Sequence, residues 1–154
     1  MKKILWVEEE ADSSMIGYIT LFESINGFDL TIAKNATEAM HHLHSKKQFF
    51  DLVIMDIRIP PGLDGYWEEE YLKGDNSLPK ERLGIAVINK YFTELIRENE
   101  KQKWIIFTIE PFWTVSEFFK KYSLNWFIEG VNYFQKTKYR FPEEFLKDIE
   151  DKLT

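Results

Sequence analysis

Four of the strand-like segments in this chain end in chemically useful residues. Glu8 and Glu9 follow Ile4-Leu5-Trp6-Val7, Asp56 follows Leu52-Val53-Ile54-Met55, Thr108 follows Trp104-Ile105-Ile106-Phe107, and Lys136 follows Val131-Asn132-Tyr133-Phe134-Gln135. Clustered carboxylates repel one another and favour a hard divalent cation, which takes oxygen ligands. A cation there can neutralise an incoming phosphoryl group, while a hydroxyl and an ammonium add contacts to its oxygens. A carboxylate is also a competent covalent nucleophile towards phosphorus. One such residue at the end of one run would mean little; four in one sheet must face a common crevice, because ligands bind at the carboxyl ends of parallel strands.

The elements that hold these ends are readable from periodicity. The runs before Glu8, Asp56 and Thr108 are apolar on both faces, as in the interior of a parallel sheet covered by helices. Phe28-Asp29-Leu30-Thr31-Ile32-Ala33 alternates and reads as a strand nearer an edge. Between the strands lie helical patterns. Asp12 or Ser13 can cap a helix to about Ile25 with Met15, Ile16, Ile19 and Phe22 on one face, stopped by Asn26-Gly27. Asn35-Ala36-Thr37-Glu38 reads as a capping box opening a helix to about Lys47. Ile85, Val87, Ile88, Tyr91, Phe92, Leu95 and Ile96 mark a third helix ending near Glu100. A fourth spans Val115 to Tyr122, with a continuation towards Ile128. Pro142 opens the last, with Glu143 and Glu144 in its first turn and Phe145, Leu146, Ile149 and Leu153 as its core face.

Five alternations of strand and helix imply right-handed crossovers and an α/β three-layer sandwich: a five-stranded parallel sheet with helices on both faces. The whole chain, residues 1–154, reads as one domain. Periodicity is lost between Gly62 and Leu83, where Gly65, Gly74, Asp75, Asn76 and Pro79 punctuate a segment carrying Tyr66, Trp67 and Tyr71. That is more chain than a strand-to-helix connection needs, which predicts a lid or a mobile insertion over about 62–83.

Composition narrows the functions. The net charge of −6 argues against nonspecific binding to nucleic acid or to an anionic membrane surface. The absence of cysteine removes disulfides and thiolate metal sites. No apolar run approaches the ~20 residues that span a bilayer. The apolar stretch after Met1-Lys2-Lys3 is too short for a signal peptide, because Glu8, Glu9 and Glu10 cut it off, so a cytoplasmic protein is expected.

The matching pieces Ile4-Leu5-Trp6-Val7-Glu8-Glu9-Glu10, Asp51-Leu52-Val53-Ile54-Met55-Asp56, Ile105-Ile106-Phe107-Thr108 and Gly130-Val131-Asn132-Tyr133-Phe134-Gln135-Lys136, in that order, resemble the receiver domain of two-component response regulators. The resemblance covers nearly the whole chain, with about 62–83 as an insertion after the third strand. It implies a flavodoxin-like sheet of strand order 2-1-3-4-5. It also implies a phosphorelay role: Asp56 accepts a phosphoryl group from a histidine kinase or phosphotransfer protein. Glu8, Glu9, Asp56 and the backbone carbonyl of Arg58 would hold magnesium. Thr108 would bond a phosphoryl oxygen and Lys136 would pair with one. Tyr133 falls on the aromatic switch, a small bistable element biased by a local charge event. Output would pass through protein contact, to a homodimer or another protein, at the fourth helix, the fifth strand and the last helix. The sequence departs from the family at Glu9, where Asp is usual, at Thr137, where Pro usually follows the lysine, in the extra residue of the Pro60-Pro61 turn, and in the longer stretch from Thr108 to Lys136.

Taken singly, each of these residues has a plainer role. Asp56 could merely start a turn, Glu8 to Glu10 could be a solvated acidic turn, Thr108 a strand-end residue, Lys136 a surface lysine and Tyr133 a packing residue. His41, His42 and His44 share one predicted helix without a third ligand and read as exposed or half-buried helix residues. Phe112, Trp113, Phe118, Phe119, Tyr122, Trp126 and Phe127 are too many for one helix to bury, so an exposed remainder would mark a partner surface. Two other functions compete with phosphoryl acceptance. One is a receiver-like binding module that takes no phosphoryl group. The other is a metal-dependent phosphohydrolase, which would need a further general base and a substrate pocket.

Overall fold

The computed structural model describes residues 1–44, 50–73, 82–94 and 102–153. The expected end of the second helix (45–47), Gly74, Asp75, Asn76 and Pro79, and Leu95, Ile96 and Glu100 lie outside them.

Five strands form one parallel sheet: β1 (Lys2–Val7), β2 (Phe28–Ala33), β3 (Leu52–Met55), β4 (Trp104–Thr108) and β5 (Tyr133–Gln135), in the order β2-β1-β3-β4-β5. This is the α/β arrangement expected, with β2 at an edge. The helices are α1 (Ile16–Glu23), α2 (Ala36–His44), α3 (Gly65–Lys73), α4 (Leu83–Glu94), α5 (Phe112–Lys121) and α6 (Pro142–Leu153), with a 3-10 turn at Lys136–Lys138.

Strand alternation sends side chains to two separate cores, as period-2 geometry requires. Ile4, Trp6, Leu52, Ile54, Ile105, Phe107 and Phe134 pack on one side with Phe22 of α1 and Phe145 of α6. Aromatic rings dominate there: Phe107 stacks on Phe145 at 3.8 Å and Trp6 meets Phe22 edge-on at 4.8 Å. Leu5, Val7, Val53, Met55, Trp104, Ile106 and Tyr133 face the other side, under α2, α4 and α5. The two cores make the three layers.

Local chemistry accounts for several boundaries. Asn35 Oδ1 accepts the Glu38 N–H at 2.8 Å and caps α2 as predicted, while Glu38 Oε2 reaches one residue further back than a capping box requires, to the Lys34 N–H at 2.6 Å. The Pro-Pro-Gly turn also supports this helix. The N–H groups of Ala36 and Thr37 donate to the carbonyls of Pro60 and Pro61. Gly62 takes φ +80°, and a side chain there would collide with Asn35 and Thr37.

Four expectations are corrected. The first helix begins at Ile16 rather than at Asp12 or Ser13; its N-cap, Met15, makes no side-chain cap, and Asp12 instead pairs with Lys34. The fourth predicted helix begins earlier, at Phe112, and ends at Lys121 without continuing to Ile128, because Ser123 turns left-handed at φ 58°. The fifth strand starts at Tyr133 rather than Val131, since the N–H groups of Val131, Asn132 and Tyr133 are drawn to the Ile128 carbonyl. Within 62–83, a helix stands where the sequence carries no apolar periodicity. Asp64 Oδ1 caps α3 through the Tyr66 N–H at 2.9 Å, and Trp67, 1% exposed, is buried in the core beside α4. One anchoring aromatic is too weak a periodic signal to read as a helix. The Lys90 ammonium of α4 sits 4.1 Å from the centre of the Tyr66 ring and adds a second tie.

Candidate functional site

Parallel pairing fixes which strand ends meet. Val7 is opposite Met55, so the next residues, Glu8 and Asp56, are neighbours; the Asp56 N–H donates to the Val7 carbonyl at 3.0 Å. Thr108 is opposite Gln135, which brings Lys136 one residue past the end of β4. The Lys136 ammonium donates to Glu8 Oε1 at 2.5 Å and to Asp56 Oδ2 at 2.9 Å. Glu8 is fully buried and Asp56 nearly so. Glu8, Glu9, Glu10, Asp56, Arg58, Ile109 and Lys136 line a pocket of about 150 Å³ at the carboxyl end of the sheet.

The loop that presents Asp56 is held from below by α4. The Gly84 N–H donates to the Ile57 carbonyl at 2.9 Å, and a Cβ on Gly84 would fall well inside contact distance of the Asp56 carbonyl oxygen. Only glycine permits this approach. Neither Gly84 nor its role is signalled in the sequence, because the approach is between residues far apart in the chain.

Burial and sign of charge set the protonation of the pocket. The Glu8 carboxyl is pushed up to about 7, by burial first and by the Asp56 charge second, against the lowering effect of Lys136. For Lys136, burial opposes the charge, but Asp56 and Glu8 outweigh it and hold the ammonium above its ordinary value.

The remaining predicted residues are placed as follows. Glu9 is exposed at the pocket rim. The Arg58 N–H approaches Asp56 Oδ1 at 3.4 Å. Thr108 is fully buried behind the pocket rather than lining it, and its Oγ1 accepts the Glu110 N–H at 3.4 Å. Tyr133 is turned inward, 1% exposed, between Phe112 and Phe119, with its hydroxyl donating to the Glu110 carbonyl at 2.6 Å. The Lys136–Thr137 peptide is trans. Of the aromatics after Thr108, Phe119 and Phe127 are core, whereas Trp113 is 77% exposed.

Sequence reasoning missed Glu110. This carboxylate is 4% exposed, accepts from Arg58 Nε at 2.7 Å and the Thr114 hydroxyl at 3.1 Å, and has Arg82 Nε at 3.7 Å. A Glu-Pro pair after a strand reads as an ordinary turn, so nothing local announced its burial.

The donor set fits magnesium in kind. That ion needs oxygen ligands and commonly takes one or two carboxylates, with waters and phosphoryl oxygens completing its shell. Glu8 and Asp56 are such carboxylates, and between them they hold one more negative charge than Lys136 neutralises when both are ionised. Among the described residues, no group of three His, Cys, Asp or Glu side chains is close enough to form a complete protein cage.

No family model and no curated protein matches the sequence. Solved structures do match the fold. A CheY-like response regulator receiver domain protein from Methanospirillum hungatei aligns with a TM-score of 0.63 at 20% identity, over 99% of this chain and 94% of that one. The response regulator TrrA from Thermotoga maritima, solved with Mg2+ and BeF, aligns with a TM-score of 0.59 at 21% identity over 100% of both chains. The fold is that of response-regulator receiver domains. A third receiver, from a sensor histidine kinase of Pseudomonas aeruginosa with magnesium in its active-site cleft, aligns with a TM-score of 0.59 at 15% identity, over 99% of this chain and 97% of that one. The receiver fold here carries α3 between β3 and α4. Among the described residues, no helix is long and apolar enough to cross a membrane.

Proposed function

We propose that this chain is a phosphoryl-accepting signalling receiver, with Asp56 as the acceptor and a histidine kinase or phosphotransfer protein as donor. One observation supports the reading: the ammonium of Lys136 bridges Glu8 and Asp56, so two acidic strand ends and the late lysine share one small pocket with Glu9 at its rim. An oxygen of Asp56 attacks phosphorus, the bond from phosphorus to the donor's imidazole nitrogen breaks, and the imidazole leaves with the electron pair. Lys136 exchanges part of its ion pairing for the phosphoryl oxygens, and the buried Thr108 hydroxyl would have to turn into the pocket to donate to the same group. Magnesium, held by Glu8, Glu9, Asp56 and the Arg58 carbonyl, would neutralise the charge on those oxygens. Gly84 keeps the acceptor loop in place, and Tyr133 is the switch residue behind it. Output by protein contact fits the exposed Trp113 of α5 and the half-exposed Ile109, which lines the pocket.

The test is incubation with acetyl phosphate and magnesium, followed by intact-mass measurement. The expected result is a gain of one phosphoryl group, absent in Asp56→Asn and reduced in Lys136→Met. The competing reading, a binding module that takes no phosphoryl group, is favoured by the exposure of Glu9 and the lack of a three-acid group among the described residues. It predicts no mass gain and no magnesium-dependent change in Trp6 fluorescence.

A further inference from the structure

We propose that Glu110 is a positioning residue: its ion pair with Arg58 and Arg82 holds Tyr133 inward and couples that position to the Asp56 loop. The signalling consequence rests on the receiver reading above; the positioning itself does not.

Five parts of the fold meet at this residue. Its carboxylate takes Arg58 from the loop after β3, two residues beyond Asp56, Arg82 from just before α4, and the Thr114 hydroxyl from α5. Its main chain takes the end of β4 through Thr108 and β5 through the Tyr133 hydroxyl. The carboxylate thereby anchors its own peptide. The carbonyl of that peptide is the acceptor without which a buried tyrosine hydroxyl would be left unpaired. Burial acts against the charge, but Arg58, Arg82 and Thr114 outweigh it, and the carboxyl lies below the usual range. The inward position of Tyr133 is thus accounted for by contacts within the chain that end on Glu110.

Arg58 gives the arrangement its sensitivity. It lines the Asp56 pocket and donates to Glu110. An anion entering the pocket competes with Glu110 for the guanidinium and loosens the peptide that holds Tyr133. An equilibrium of this kind moves only by the differential affinity of Arg58 for the two anions, which keeps the coupling modest.

The experiment places 3-fluorotyrosine at position 133 of the full chain and reads the 19F spectrum, with thermal unfolding as a control for the fold. The wild type should give one buried resonance. Glu110→Gln, which keeps the shape and removes the charge, should add a solvent-exposed resonance of roughly 10% or more of the intensity. Arg58→Met, at a half-exposed position, keeps the test usable if Glu110→Gln fails to fold, and should give a smaller version of the same change. A folded Glu110→Gln or Arg58→Met with an unchanged spectrum overturns the proposal. Magnesium with beryllofluoride is then the probe of coupling. It should shift the wild-type resonance and leave Arg58→Met unshifted, and an equal shift in both overturns the coupling. If the wild type takes no phosphoryl mimic while Glu110→Gln still exposes Tyr133, the receiver reading fails and the positioning role stands.

Discussion

Around Asp56 two buried carboxylates share one ammonium, and around Glu110 two guanidinium groups share one buried carboxylate. The clusters are joined by one residue, since Arg58 belongs to the lining of the first and to the ion pairs of the second. Burial opposes charge in both, yet the carboxyls shift in opposite directions. Glu8 is raised to about 7 and Glu110 is lowered. The difference lies in the ratio of cations to acids, which decides whether a buried carboxylate is compensated. The first cluster has two acids for one cation, as the proposed metal-dependent phosphoryl site would require. The second is satisfied internally, as a structural tie requires.

The comparison can be broken most sharply at Lys136. Lys136→Met leaves Glu8 and Asp56 buried together without their shared cation and should lower stability by about 3–5 kcal/mol in urea unfolding without magnesium. Arg82→Met leaves Arg58 on Glu110 and should lose far less. Equal losses would mean that the two clusters are not built differently.

Next in size is the pH dependence. With a folded value near 7 against an ordinary 4.5, Glu8 contributes stability that is fully present below 4.5 and is lost as pH rises through about 7. Glu8→Gln should remove that decline, worth roughly 3 kcal/mol. Glu110 runs the other way: its contribution is present above 4.5 and lost as pH falls through its lowered value. The deficit of Glu110→Gln relative to wild type should therefore shrink in acid. Urea unfolding from about pH 3 to 8 checks both slopes, and parallel slopes would erase the contrast.

Gly84→Ala should displace the Asp56 loop but leave Glu110 in place. A displacement of about 1 Å costs on the order of 100-fold in rate. Phosphoryl transfer from acetyl phosphate should fall by that order, while the 19F signal of Tyr133 should move less than in Glu110→Gln, because Arg58 shifts with its loop but the carboxylate and Arg82 remain. The smallest effect belongs to Glu9→Ala, at an exposed position. It should weaken magnesium binding about tenfold, equivalent to about 1.4 kcal/mol, without changing metal-free stability. No change in magnesium affinity would remove Glu9 from the ligand set.

Much of this was legible in the residues. The runs ending at Glu8, Asp56 and Thr108, doubly apolar, declared an interior parallel sheet, and the alternating Phe28–Ala33 declared an edge. Asn35 to Glu38 announced the start of α2. These signals are local: periodicity and cap spacing depend on neighbours along the chain. Three features had no such signal. Trp67 anchors a helix in a stretch without apolar rhythm, Gly84 matters only because another loop lies against it, and Glu110 is buried by cations 52 and 28 residues away in sequence.

The amino-acid order by itself determined the strands, their alternating faces and the four chemical residues at their ends, because side-chain period and the direction of a parallel sheet leave little freedom. Tertiary structure alone decided that Lys136 binds both acids, that Thr108 lies behind the pocket and that Tyr133 is turned in on Glu110. The reason is distance. Those contacts join residues from separate strands and loops, and the ångströms between them follow from how the helices close over the sheet.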